Sequence, residues 1–382
     1  MNPSNLLPKQ VVLVGGGHAH VHVLDAFGRR REPGVALTLV TRDLMTPYSG
    51  MLPGVIAGLY RPNEAHIDLV RLCAVTGTKL VHAEAVGLDR ASKRVVLADL
   101  PPVPYDLLSI DVGITPALAG IDGAGECAVA VKPIGLFLQK LETLIVQCRR
   151  PDGPRRIAVI GGGAGGVELL LSLRTRLMRE LRAVGRDDGH LSFTLVTEGE
   201  ILATHNARAR DAFRRVFAAR KIALHEHTKA HAVTAQGVIS ADGRSLAADA
   251  VLVTTGAAAP NWFAGTGLAL DAGGFIAVGP TLQATNDPDV FAAGDCAALV
   301  ETPREKAGVY AVRAGPPLAV NLRRRARGEP LKPWDPQSRH LALISTGERY
   351  AVASRGWFKA EGAWLWRVKD WIDRRWMRRY QR

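Results

Sequence analysis

Cysteine is scarce in this chain of 382 residues: Cys73, Cys127, Cys148 and Cys296 lie far apart, with no C-x-x-C pair among them. That excludes a disulfide scaffold, a zinc site and a local redox couple, and points to a reducing compartment, the cytosol. No apolar run approaches the ~18 residues of a membrane span. Met1 to Gln10 is polar and proline-bearing, so no secretory leader is expected and the body of the protein should be soluble. Acidic residues are in deficit, 36 Asp and Glu against 49 Lys and Arg, for a formal charge of +13. Much of the basic excess is spread over helix-like stretches, Arg174 to Arg186 and Arg208 to Lys221. No DNA- or RNA-binding signature accompanies it, so a solvated surface is expected and no nucleic-acid partner. With 47% hydrophobic and 22% charged residues the balance is globular, and the length suits two or three domains.

What is present begins at Val11-Val12-Leu13-Val14-Gly15-Gly16-Gly17-His18-Ala19-His20. A β-branched run reads as a buried parallel strand, and the glycines let backbone N–H groups approach a pyrophosphate. Gly15 and Gly17 fill the first two places of G-x-G-x-x-G, whereas His20 takes the third, where a small residue normally lets helix and strand pack closely. His18 and His22 stand four apart on the expected helix, but a phosphate loop already occupies that position and no metal is assigned. A second copy, Ile157 to Glu168, fills all three places with Gly161, Gly163 and Gly166. Two such loops imply two dinucleotides, with electrons passed between them.

The strand after the first loop, Ala36 to Val40, ends at Thr41-Arg42-Asp43 in place of the usual acid, so the adenosine ribose contact falls to this trio, Asp43 above all. The strand after the second loop, Phe193 to Thr197, ends in Glu198-Gly199-Glu200. Acid there suits a free ribose hydroxyl and repels a 2′-phosphate, which favours NADH over NADPH. Leu80 to Ala83 and Arg94 to Leu97 read as a small antiparallel crossover. Two glycine-ended strands, Tyr105 to Gly113 and Ala250 to Ala257 with Thr255-Gly256, repeat the architecture. Glu168 opens the second loop's helix, where either helix polarity or a facing nicotinamide accounts for it.

The two loops, the Thr255-Gly256 strand end and Ala293-Gly294-Asp295 together resemble the two-dinucleotide-binding-domain flavoproteins, the pyridine nucleotide-disulfide oxidoreductase superfamily, over residues 10 to 325. The absent cysteine pair resembles the type II NADH dehydrogenase branch. Gly15 to His20, Thr46 to Pro53, Ser109 to Gly113 and Gly308 to Pro317 look like the flavoprotein module often fused ahead of selenophosphate synthase. The resemblance implies an α/β fold of two Rossmann-like domains and a C-terminal tail. The FAD domain (1–150 and 259–335) is interrupted by an NAD domain (151–258), and the tail covers 336–382. It implies FAD held by Gly15, Gly17, His18, Ala19, Thr41, Arg42 and Asp43, with Pro47, Tyr48 and Ser49 walling one flavin face. Gly113, Gly294, Asp295 on the ribityl chain, Gly308 and Val309 complete that set. NADH would be held by Gly161, Gly163, Gly166, Glu198, Thr255 and Gly256, with Glu168 near the nicotinamide and Lys306 balancing charge on the reduced ring. The expected activity is hydride transfer from NADH to flavin and then two electrons to a quinone-like acceptor. A low-turnover flavin-bound accessory or redox-sensing protein tied to selenium metabolism, and a sulfide:quinone-type enzyme, stay open as alternatives.

Glu361 to Arg382 reads as a basic helix with Trp364, Leu365, Val368, Trp371, Ile372 and Trp376 gathered on one side. Two readings remain for it: peripheral attachment to the cytoplasmic membrane face, or packing over the flavin domain or a homodimer partner.

Overall fold

The computed structural model describes residues 7–114, 117–118, 120–187 and 189–381. Of the sequence expectations, Met1 to Leu6 and Arg382 at the tail's end lie outside these residues. The apolar run after Pro8 forms β1 (Lys9–Val14), and the first loop feeds α1 (His18–Arg29). In the first sheet β1 lies parallel to both β2 (Val35–Thr41) and β4 (Leu107–Ile110), and β3 (Lys79–His82) extends the β2 edge. Leu80 to Ala83 is therefore not the hairpin partner of Arg94–Leu97. Ala85–Asp89 takes that role, because the apolar side chains of the earlier stretch are needed at the edge of the main sheet.

The chain then crosses to a second parallel sheet, in the order β5 (Ala128–Ala130), β9 (Ala250–Val253), β6 (Arg156–Ile160), β7 (Ser192–Val196), β8 (Ala223–His225). The expected boundary at 150/151 falls too late. β5 pairs with β9, and α2 (Ile134–Cys148) buries Phe137, Leu141 and Ile145 in the core of the second sheet beside Leu170 and Leu173 of α3 (Ala164–Ala183). The chain returns with β10 (Asp287–Ala292) parallel to β4, followed by α4 (Gly308–Arg327) against α1.

The C-terminal segment bridges the two units. Strands β11 (Ala342–Ser345), β12 (Ala351–Arg355) and β13 (Phe358–Gly362) form an antiparallel sheet. Ile344 and Val352 insert among Leu169, Leu173 and Phe213 of the second unit. Helix α5 (Ala363–Tyr380) lies against the first: Arg379 pairs with Asp25 at 2.9 Å, Arg374 with Glu64 at 2.9 Å, and the Tyr60 hydroxyl donates to Asp370 at 2.7 Å.

At 100° per residue the predicted stripe of α5 is a real face, but most of it does not pack. The buried side is turned further round the helix, through Leu365, Asp373, Met377 and Tyr380, so Leu365 and the half-buried Trp376 alone reach the protein from the stripe. Trp364 (56% exposed), Val368, Trp371 (58%) and Ile372 face solvent.

Candidate functional site

Both glycine loops sit at the carboxyl ends of their sheets, where a switch in strand order opens a crevice. At Gly15 the backbone has φ +94°, and a Cβ there would fall 2.4 Å from the Asp111 carbonyl oxygen; only glycine fits. The second loop repeats this at Gly161 (φ +124°), and a Cβ on Gly166 would meet the Gly161 carbonyl oxygen at 1.9 Å, the close contact that the third glycine exists to allow. Neither Gly17 nor Gly163 supplies a side-chain cap to its helix.

His20, in the third place of the first loop, is fully buried and not crowded out. The Gly15 carbonyl can only accept, so ring Nδ1 donates to it at 2.7 Å, and Nε2 accepts from the Ser109 hydroxyl at 2.8 Å. Burial lowers its pKa to about 4, which keeps the ring neutral. The opposite side of α1 packs closely on α4, where a Cβ on Gly315 would lie 2.6 Å from the His22 side chain.

The expected flavin-facing residues converge. Tyr48 stacks on Trp376 with ring centroids 4.2 Å apart, and His18 packs edge-on to Tyr48 at 5.6 Å and against Trp376 at 5.5 Å. A Cβ on Gly308 would lie 2.7 Å from Ser49 Oγ, so the Pro47–Ser49 segment abuts the amino end of α4, which carries no side-chain cap. Val309 follows Gly308 in that first turn. Asp295 stands at the end of the returning strand, paired with Lys132 at 2.9 Å. Lys306 lines the same cleft, but its ammonium donates to the Ala297 carbonyl and lies 4.0 Å over the Phe275 ring. Thr41 closes β2, buried, with its hydroxyl donating to the Asp43 carbonyl, while Arg42 and Asp43 are exposed and paired with each other. Gly113 is exposed just past the buried end of β4.

On the second loop, Thr255 and Gly256 follow β9, and Gly256 takes φ +65°. Glu198 is exposed at the end of β7, 3.4 Å from Lys229. Glu168, on the first turn of α3, is half-buried and accepts the Ser345 backbone N–H at 2.6 Å. Burial raises its pKa to about 7, against the opposing pull of Lys369 and that hydrogen bond, with Asp373 adding to the rise. Lys369 donates to the Gly50 carbonyl and pairs with Asp373 at 2.6 Å. Burial, with Asp373 beside it, lifts the Tyr48 phenol well above its ordinary value. Lys369 and Asp373 carry no sequence signal beyond their recurrence with Trp376 at i, i+4 and i+7 on α5, whereas Trp376 belongs to the aromatic stripe for which packing over the flavin domain is one of the two readings.

The donor set fits two dinucleotides. Among the described residues, each loop keeps a buried polar atom without a protein partner, His18 Nε2 at the first and Thr255 Oγ1 at the second. A carboxylate, Asp295, and an uncapped helix end, that of α4, stand beside the first. None of the four cysteines is disulfide-bonded; Cys73, Cys148 and Cys296 are buried in three different cores and Cys127 is exposed.

This combination defines a class: a flavin-dependent oxidoreductase with two dinucleotide folds. The family model for pyridine nucleotide-disulphide oxidoreductases matches residues 9–323, and the chain belongs to that family. It is 25% identical to an NADH dehydrogenase-like protein of Bacillus subtilis, over 88% of this chain and 90% of that one. It is 24% identical to a type II NADH:quinone oxidoreductase of Haemophilus influenzae, over 85% and 82%. The fold matches the sulfide:quinone oxidoreductase of Aquifex aeolicus at TM-score 0.81 and 18% identity, over 98% of this chain and 91% of that one. It matches NDH2 of Plasmodium falciparum, solved with NADH, at TM-score 0.73 and 14% identity, over 98% and 99%.

Proposed function

We propose that the protein takes a hydride from NADH onto FAD in the first domain and passes two electrons to a quinone-type acceptor without a redox disulfide. The observation that carries this reading is the Tyr48–Trp376 stack, with its His18 neighbour, beside the first glycine loop, in a chain whose four cysteines are all free and lie elsewhere. The flavin supplies the two-electron chemistry when bound. The protein's part is to hold nicotinamide and flavin within about 3 to 3.5 Å of each other and to fix their surroundings. Gly161, Gly163 and Gly166 would carry the NADH pyrophosphate, Thr255 Oγ1 would meet its partner there, and Glu198 would hold the adenosine ribose. Gly15, Gly17, His18 and Ala19 would carry the FAD pyrophosphate, Asp295 the ribityl chain, and Gly308 with Val309 the pyrimidine edge. Glu168 would orient the α3 end beside the nicotinamide, and its link to Ser345 ties that end to the C-terminal sheet.

No helix among the described residues is long and apolar enough to cross a membrane. The outward stripe Trp364, Val368, Trp371 and Ile372, flanked by Arg367 and Arg375, favours peripheral attachment to an anionic bilayer that holds the quinone. A sulfide-oxidising reading is disfavoured by the scattered, unbonded cysteines.

The test is an anaerobic titration of the purified FAD-loaded protein. NADH is expected to bleach the flavin, and a water-soluble quinone to restore the colour. Bleaching by sulfide but not by NADH would overturn the proposal, as would a polypeptide that binds no flavin.

A further inference from the structure

We infer that Asp111 is a positioning residue for the flavin pyrophosphate, and that FAD binds the protein with the Asp111 carboxyl protonated. This role rests on the flavin reading above and adds to it a titratable carboxyl that the dinucleotide pattern does not contain.

Ser109 and Asp111 are two apart at the end of β4, so both point toward α1. Asp111 is fully buried, and its Oδ2 accepts two consecutive N–H groups from the first turn of that helix, Ala19 at 2.8 Å and His20 at 3.1 Å. Its backbone carbonyl accepts the Gly17 N–H at 3.1 Å. One residue thus fixes three backbone N–H groups of the loop and helix end beneath which a phosphate would lie. The carboxyl fills the space that two glycines leave: a Cβ on Gly17 would lie 2.2 Å from its Cγ, and one on Gly294 2.2 Å from its Oδ1. The second loop lacks the device. Thr254 holds the corresponding place at the end of β9, and its hydroxyl donates to the Ile160 carbonyl instead of reaching the helix.

Two anions, carboxylate and pyrophosphate, would compete for one helix end. A pyrophosphate stays charged near neutral pH; a buried carboxyl can stay neutral. The surrounding charges leave Asp111 uncompensated. His18 and His20 on α1 are held neutral by burial. Asp295 adds negative charge and engages Lys132, Cys296 is a buried thiol donating to the Ile110 and Ala293 carbonyls, and Lys306 is turned to Ala297 and Phe275. Burial, with Asp295 nearby, raises the Asp111 pKa to about 7 even before a pyrophosphate arrives.

The test measures the FAD dissociation constant of the full-length chain, stripped of flavin, between pH 6 and 9, together with proton uptake by calorimetry in two buffers of different ionisation enthalpy. The wild type is expected to bind with constant affinity below about pH 7 and to lose about tenfold per pH unit above it, taking up close to one proton per FAD at pH 8. Asp111→Asn, which keeps the acceptor for the α1 N–H groups but cannot ionise, is expected to bind with no such slope and more than tenfold tighter than wild type at pH 9. A flat wild-type profile without proton uptake overturns the inference, and so does a slope that survives in Asp111→Asn. The wild-type calorimetry decides the matter even if the variant does not fold. Failure to bind FAD at any pH overturns the flavin reading itself, and this inference with it.

Discussion

Replacing Glu168 by glutamine should stabilise the protein, and only above mildly acidic pH. The wild-type carboxyl is half-buried on the first turn of α3, where desolvation moves its pKa from the ordinary 4.5 to about 7. Between those values the native state keeps a proton that the unfolded chain has released, so stability falls as pH rises, and the loss is complete above about pH 7. The span corresponds to about 3 kcal/mol of destabilisation of the ionised native form. A chain of this length unfolds with an entropy of about 0.8 kcal/mol/K, so the effect is worth about 4 °C in the melting midpoint. Glutamine has the same shape, accepts the Ser345 N–H through its carbonyl oxygen, and carries no charge to desolvate. Calorimetric scans of both proteins at saturating FAD should therefore give near-equal midpoints at pH 5 and a difference of about 4 °C in favour of Glu168→Gln at pH 8. Comparing the two at each pH removes contributions from every other titrating group, Asp111 included. A difference that stays flat from pH 5 to 8, or a variant less stable at pH 8, would refute the reasoning, because it would mean that Glu168 is ionised at no cost in the fold.

At the second loop, Gly166→Ala forces a Cβ against the Gly161 carbonyl oxygen and should raise KM for NADH on the order of tenfold or more, with flavin content unchanged by absorbance. Glu198→Ser removes the acid at the end of β7 and should improve kcat/KM for NADPH relative to NADH on the order of tenfold, checked by steady-state kinetics with both nucleotides. Trp376→Ala deletes the ring stacked on Tyr48 and should cost about 3 kcal/mol, read as a drop of about 4 °C in the melting midpoint together with a changed flavin fluorescence. The double variant Trp364→Ala, Trp371→Ala removes side chains that touch solvent; it should leave the midpoint unchanged while weakening sedimentation with anionic vesicles on the order of tenfold.

The α/β class, the two parallel sheets and their phosphate loops were legible in the sequence because each rests on a local signal: a β-branched run, glycines at fixed spacing, and then helical periodicity. Gly161 and Gly166 could be read as a loop without coordinates, since backbone crowding at those places admits nothing larger. The point at which the chain changes sheets is not legible in the sequence because Ala128–Ala130 is too short to identify itself; it is a strand only through pairing with Ala250–Val253, more than a hundred residues away.

The same distinction runs through the site. Composition and spacing by themselves determined that this chain would fold around two dinucleotide crevices and have no thiol pair between them. Only the tertiary structure decided that His20 could stand in for a glycine, that Asp111 would occupy the first helix end, and that Lys369, Asp373 and Trp376 of the tail would close over Tyr48 and Glu168 while Trp364 and Trp371 face water. Periodicity gives a helix its apolar face. Which part of that face is buried depends on partners 300 residues earlier in the chain, and no local window contains them.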